Sequence, residues 1–354
     1  CGSCPGTRPP AALAVVGARM RRTRWLTQAT QRWQGPRGYN AALLAASSGR
    51  GWQEVLSLLW VMRSWRPPPD TVNYTIAADA CAKGAAWQAA VGLIDAMRAG
   101  ALRMDVASYC AMMEACGRGR QWRKSLALLA EMKAACLAPG LVGRSVAISA
   151  CEKAARWRTA VQLLAEVSIA CLSPDRICCS SVISACEKAS RWEHALQLLE
   201  ASHRQRLRMG VVACSAAMSA CEKGHQWRRA LALLLDMEVA GVRPNEVSCS
   251  AAVSACEKGF QWRRALLLFA EAEARGLAPD VVVFTAAVAA CDTGGCWVAA
   301  LELLKEMEDR GVAPNLRTYN AAISACATGR QWAHALELMF DMHQDHLVPD
   351  VVTY

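Results

Sequence analysis

Six histidines, His194, His203, His225, His334, His343 and His346, are the side chains of this 354-residue chain best suited to acid–base or metal chemistry near neutral pH. None falls in a His-Glu-x-x-His or comparable ligand spacing, so they read as solvated surface side chains. Cys1 and Cys4 form a solitary Cys-x-x-Cys with no second pair and no nearby histidine, which is too little for a zinc or redox site, and the adjacent Cys178 and Cys179 add nothing to it. No Gly-rich phosphate loop, serine elbow or carboxylate cluster interrupts the sequence. A non-enzymatic protein with no metal and no other cofactor is expected.

The remaining cysteines carry a different message. Of 18 in all, Cys81, Cys116, Cys151, Cys186, Cys221, Cys256, Cys291 and Cys326 recur every 35 residues, a regularity that speaks for packing and not for crosslinking. Trp52, Trp87, Trp122, Trp157, Trp192, Trp227, Trp262, Trp297 and Trp332 keep the same period. So do Ala45, Ala80, Ala115, Ala150, Ala185, Ala220, Ala255, Ala290 and Ala325, each seven residues before a tryptophan. Internal repetition at this length means a solenoid. Nine repeats follow without insertion: 36–70, 71–105, 106–140, 141–175, 176–210, 211–245, 246–280, 281–315 and 316–350.

What must position any functional side chain is therefore a helical hairpin. Apolar residues at repeat positions 7, 8 and 11 form a helical stripe that ends near position 14. A second amphipathic helix starts near the tryptophan, with Ala230, Leu231, Leu234 and Met237 on one face. It stops at segments such as Gly241-Val-Arg-Pro244 and Gly311-Val-Ala-Pro314, where glycine supplies a left-handed turn and proline forbids continuation. No hairpin buries both its faces alone, so stacking of neighbours makes the core of an all-α solenoid, a right-handed superhelix. A methyl in the alanine column lets helix backbones approach, and the tryptophan fills the elbow.

Composition sets limits on partners. No stretch of 18 apolar residues occurs, so no helix is expected to span a membrane. The formal charge of +10 is concentrated at the start: residues 1–35 hold six arginines and no acid, leaving 34 basic against 30 acidic side chains. That Arg-rich leader reads either as an organelle transit segment or its remnant, or as an N-terminal capping helix. Residues 351–354 begin a tenth repeat, and the chain starts with Cys, so it is expected to be a fragment of a longer protein.

The 35-residue unit, with its Pro-Asp or Pro-Asn ending followed by runs such as Val-Val-Thr-Tyr354, resembles the pentatricopeptide repeat in its uniform P-class form; the related tetratricopeptide repeat has 34 residues and lacks that ending. The resemblance implies one RNA base per repeat, read by the residues at positions 5 and 35. Here position 5 is Asn40, Thr75, Cys110, Ser145, Ser180, Ser215, Ser250, Thr285 and Asn320, and position 35 is Asp70, Asp105, Gly140, Asp175, Gly210, Asn245, Asp280, Asn315 and Asp350. Gly140 and Gly210 cannot read a base edge. By the family's pairing preferences, Asn with Asp implies uracil, Thr or Ser with Asp guanine, and Thr or Ser with Asn adenine, giving 5′-U-G-n-G-n-A-G-A-U-3′. Position 2, which packs on base faces in the family, holds Val72, Val142, Ile177, Val212, Val247 and Val282, with Arg37, Ala107 and Arg317 as departures.

Steps of three or four residues put positions 2, 5, 9 and 13 on one helix face. Position 13 holds Lys83, Arg118, Lys153, Lys188, Lys223 and Lys258, then Thr293 and Thr328, with Ser48 in the first repeat. These six cations are candidate phosphate contacts, although a lysine at a helix C-terminus also complements the helix dipole. Glu152, Glu187, Glu222 and Glu257 beside them temper the field. The resemblance thus implies sequence-specific binding of single-stranded RNA in a mitochondrion or plastid, acting in transcript processing, stabilisation or translation, by a monomer with protein partners from an RNA-processing complex. Two alternatives are a protein-interaction scaffold and the RNA-targeting arm of an enzyme whose catalytic domain lies outside this sequence.

Overall fold

A computed structural model describes residues 40, 42–45, 47, 51–64, 68–170, 172–205, 207–350 and 353. The Arg-rich leader, Arg37, Ser48 and the tenth repeat apart from Thr353 lie outside the described residues. The chain divides into two compact units, Cys1–Pro174 and Asp175–Tyr354. In the first, residues 42–45 are helical and are followed by α1 (Trp52–Ser64), α2 (Thr71–Lys83), α3 (Trp87–Ala99), α4 (Val106–Arg118), α5 (Trp122–Ala134), α6 (Gly140–Lys153) and α7 (Trp157–Ile169). The second holds α8 (Arg176–Lys188), α9 (Trp192–Arg204), α10 (Val211–Lys223), α11 (Trp227–Val239), α12 (Glu246–Lys258), α13 (Trp262–Ala274), α14 (Val281–Gly294), α15 (Trp297–Asp309), α16 (Leu316–Thr328) and α17 (Trp332–Gln344). Among the described residues the regular structure is all helical, and no helix is long and apolar enough to cross a membrane. Each unit is an α-solenoid of stacked hairpins.

The sequence columns explain the stacking. Each first helix ends at position 13 or 14, where the cap N–H reaches back to the last turn, and position 15 turns left-handed, as at Arg120, His225 and Phe260. Every second helix then opens on its tryptophan. The alanine column from Ala80 to Ala325 and the cysteine column from Cys81 to Cys326 are buried where first helices pack on their neighbours. The described cysteines are all free thiols. On α11 the buried stripe is Ala230, Leu233, Leu234 and Met237, with Leu231 half-buried. Gly241 and Gly311 take the left-handed turns (φ +69° and +70°) that end α11 and α15.

The tryptophans hold successive hairpins together from their edges and are only partly buried. Trp87 lies against Gly119 of the next repeat so closely that a Cβ there would sit 2.3 Å from Cδ1 of the indole. A cation of the next repeat covers the ring: Lys124 over Trp87 at 4.3 Å, Arg229 over Trp192 at 4.7 Å and Arg264 over Trp227 at 4.6 Å. His334 stacks on Trp297 in the same relation. The elbow-filling role expected of tryptophan is in fact a contact between repeats.

Candidate nucleic-acid interface

The position-35 residues sit at the N-caps of the helices that follow them, because a short Asp or Asn side chain can meet the open backbone N–H groups of a first turn. Asp70 accepts from the N–H of Asn73, Asp105 from Ser108, Asn245 from Ser248 and Asn315 from Thr318, at 2.8–2.9 Å. Asp175 accepts from Cys178 at 2.7 Å, and Asp280 from both Val282 and Val283. Asp350 accepts from Thr353 at 3.1 Å. In each case Oδ1 turns inward to the helix. Gly210 caps α10 without a side-chain bond, and Gly140 is the first residue of α6 with φ +56°.

Position 5 lies one helical turn inside the same hairpins. Thr75 donates to the carbonyl of Thr71 at 2.8 Å and meets the Ser108 hydroxyl at 2.7 Å. Thr285 does the same with Val281 (2.6 Å) and Thr318 (2.8 Å). Asn40 accepts from Nδ2 of Asn73. Asn320 donates to Asp350 at 3.0 Å and accepts from Thr353 at 2.8 Å. The serines behave differently: Ser145, Ser180 and Ser215 donate to the carbonyls of Val142, Ile177 and Val212 in their own helices. The helix packing thus brings positions 5 and 35 together in repeats 1, 2, 8 and 9, through a side chain that the sequence reading overlooked. This is position 3 of the following repeat, occupied by buried Asn73, Ser108, Thr318 and Thr353; Ser248, also buried, shares the column and donates to Asn245 at 2.7 Å. Its signal was a polar column at the 35-residue period inside an otherwise apolar stripe.

Val72, Val142, Ile177, Val212, Val247 and Val282 are all exposed, from 54% to 68%, so each of these six repeats displays an apolar side chain one turn before its position-5 residue. Ala107 is exposed as well. Arg317 instead extends to Glu257 at 3.8 Å, and burial raises the Glu257 carboxyl above its ordinary range while Arg317 and Lys258 oppose that shift.

Four of the six position-13 cations pair with carboxylates. Lys83 pairs with Asp79 at 2.8 Å and Arg118 with Glu114 at 2.6 Å, one turn back on the same helix. Lys223 pairs with Glu187 at 2.9 Å and Lys258 with Glu222 at 2.7 Å, each reaching the preceding repeat. Thr328 continues these rungs to Asp292 at 3.3 Å. Lys153 is half-buried at the end of α6, and Lys188 is exposed at the end of α8. Among the described residues no group of three or more His, Cys, Asp or Glu side chains could hold a metal ion.

The comparisons with known proteins agree with this architecture. The pentatricopeptide repeat domain matches residues 267–330 and 303–354, and the shorter PPR repeat matches residues 107–137 and 177–205. Pentatricopeptide repeats are thus present in this chain. Its fold is similar to the crystal structure of the pentatricopeptide repeat protein PPR10 from maize, with a TM-score of 0.65 and 23% identity over 97% of this chain and 50% of that one. It is also similar to PPR10 in complex with an 18-nt psaJ RNA element, with a TM-score of 0.55 and 20% identity over 98% of this chain and 60% of that one. The chain thus spans about half the length of these solved structures. No curated protein sequence matches it.

Proposed function

We propose that this chain binds single-stranded RNA in a sequence-specific manner, one base per repeat, as a P-class pentatricopeptide repeat protein. The observation that carries the reading is the inward commitment of Oδ1 at position 35. Beyond the Oδ1 that takes a backbone N–H, an aspartate offers Oδ2, an acceptor, and an asparagine offers Nδ2, a donor. A threonine or serine at position 5 spends its proton on a helix carbonyl and offers lone pairs. Two acceptors suit the N1–H and N2–H donors of guanine. An acceptor with a donor suits N6–H and N1 of adenine. The Asn40 amide, with its oxygen held by Asn73, offers Nδ2, which together with Asp70 suits a uracil carbonyl and N3–H. The hydrogen-bond polarity therefore arrives at the same base assignments as the family resemblance, U-G-n-G-n-A-G-A-U.

Exposed valines at position 2 supply apolar surface for base faces, and the position-13 cations supply charge for phosphates. Their exposed ion pairs are each worth about 0–1 kcal/mol, small enough for a phosphate to replace a carboxylate. Occupying a transcript in this way protects or remodels it without chemistry, which fits a role in RNA processing, stabilisation or translation in a mitochondrion or plastid. Binding by a monomer is part of the proposal, with other proteins of an RNA-processing complex as further partners. The test is affinity for 5′-UGUGUAGAU-3′ against a version with all three repeat-read guanines, at the second, fourth and seventh positions, changed to adenine. Weaker binding of the second RNA supports base reading, and equal binding overturns it.

A further inference from the structure

We infer that position 3 of the following repeat is a third member of each base-reading set, a positioning residue that ties position 5 to position 35 and sets how strictly that repeat discriminates. The inference rests on the RNA-reading proposal above and deepens it. Three observations carry it. The first is geometric: Ser108 donates to Asp105 at 2.6 Å while touching Thr75 at 2.7 Å, and Thr318 donates to Asn315 at 3.1 Å while touching Thr285 at 2.8 Å. Thr353 bridges Asp350 and Asn320 in the same way, at 2.9 and 2.8 Å.

The second is the direction of the protons. The Asp105 carboxylate only accepts, so the Ser108 proton belongs to it, and Thr75 is left to donate to Thr71 or Ser108 and to face outward with lone pairs. Asn73 is held from both ends: its Oδ1 accepts from the Asp70 N–H and its Nδ2 donates to Asn40, so the Asn40 amide has one orientation. The position-3 group converts a side chain that could donate or accept into one with a fixed sense.

The third is co-loss. Where position 35 is Gly140 or Gly210, position 3 of the next repeat is Gly143 or Ala213, with no polar atom. Ser108 and Thr318 are fully buried in an apolar stack, a setting in which a hydroxyl is costly unless its bonds are used. A polar residue kept at position 3 only beside an intact pair serves the pair. Repeats 4 and 7 are the informative exceptions: Ser145 with Asp175 and Ser250 with Asp280 form their pairs, and Cys178 and Val283 take the linking position. Repeats 4 and 7 are therefore loose readers and repeat 8, with Thr318, a strict one.

Two substitutions in the full chain test this, read as affinities for 5′-UGUGUAGAU-3′ and its single-base variants. The buried Thr318→Val change keeps shape and removes the link. The expected result is that the preference of repeat 8 for adenine over guanine falls about fivefold, the equivalent of one ordinary hydrogen bond, while the preference at repeat 2 stays unchanged and Thr318→Ser retains discrimination. The reverse change, Val283→Thr, is expected to sharpen the guanine preference of repeat 7 by a similar factor. Wild-type selectivity at repeat 8 that survives Thr318→Val, or a repeat 7 that ignores Val283→Thr, overturns the inference and leaves base reading standing. A wild-type chain that discriminates at no position overturns base reading itself.

Discussion

Asn320 Nδ2 donates to Asp350 Oδ1 across 3.0 Å, joining the fifth residue of repeat 9 to its last. Thirty residues of helical hairpin separate the two in sequence. The bond forms because Asp350 caps the next turn and Asn320 sits one turn inside the preceding helix, so ordinary helix-ending chemistry delivers a pair of polar groups to one point. In the proposed reading, capping and base recognition share a side chain, and they separate on substitution.

At Asp280, replacement by asparagine keeps an oxygen for the Val282 and Val283 N–H groups, whereas alanine leaves them open. Asp280→Ala should cost about 1 kcal/mol of stability and Asp280→Asn much less, measured by chemical denaturation. Equal losses would contradict the capping role.

The Lys223–Glu187 and Lys258–Glu222 pairs lie partly exposed between repeats. Replacing both lysines by alanine should lower stability by no more than about 1 kcal/mol per pair. The slope of log affinity against log salt should fall by about 1.4, the contribution of two released counterions on single-stranded RNA. An unchanged slope would remove these lysines from the phosphate contacts.

Burial pushes the Cys81 and Cys291 thiols up to about 12, and Cys186, Cys221 and Cys256 to about 11, from an ordinary 9.0. Folded thiols keep protons that unfolded ones release, so the folded state binds more protons as pH rises above 9. Stability is fully present below pH 9 and is lost progressively between about 9 and 12. Denaturation midpoints measured across that window should fall, and fall less in a Cys221→Ala, Cys256→Ala variant. At pH 8 the exposed Cys136 should alkylate in the native chain while the buried column stays protected until unfolding.

Phe260 is 75% exposed and held at φ +55°, a left-handed conformation that costs a residue with a Cβ about 1–2 kcal/mol. Gly295 fills the same position of the next repeat at φ +64°. Phe260→Gly should stabilise the chain by about 0.5 kcal/mol after the entropy of the freer unfolded glycine is counted. A lower denaturation midpoint would show that the ring packs usefully.

Most of the helical architecture is legible in the sequence, because each repeat poses the same burial problem and meets it with the same residues. Trp227 and Gly241 mark helix starts and stops, and Ala220 and Cys221 mark the packed face. The polar columns were harder to read. A carboxylate such as Asp105 looks like a free recognition group in sequence, yet half of it is committed to a helix cap, an assignment that its place just before a helix start could have supplied. Ser108 and Thr318 escaped notice because a lone hydroxyl in an apolar stripe resembles filler until its partners, a full repeat away, are seen. The lysine column pointed to phosphates, but Lys223 and Lys258 meet Glu187 and Glu222, a pairing between repeats that spacing within one repeat does not reveal.

The most direct test of base reading is the Asp280→Asn exchange, which preserves the cap and turns an outward acceptor into a donor. Affinities of the wild type and variant are measured for 5′-UGUGUAGAU-3′ and for the same RNA with adenine at the seventh position. The wild type should prefer guanine there and the variant adenine, with every other position unaffected. A preference that does not move with the side chain would contradict the account.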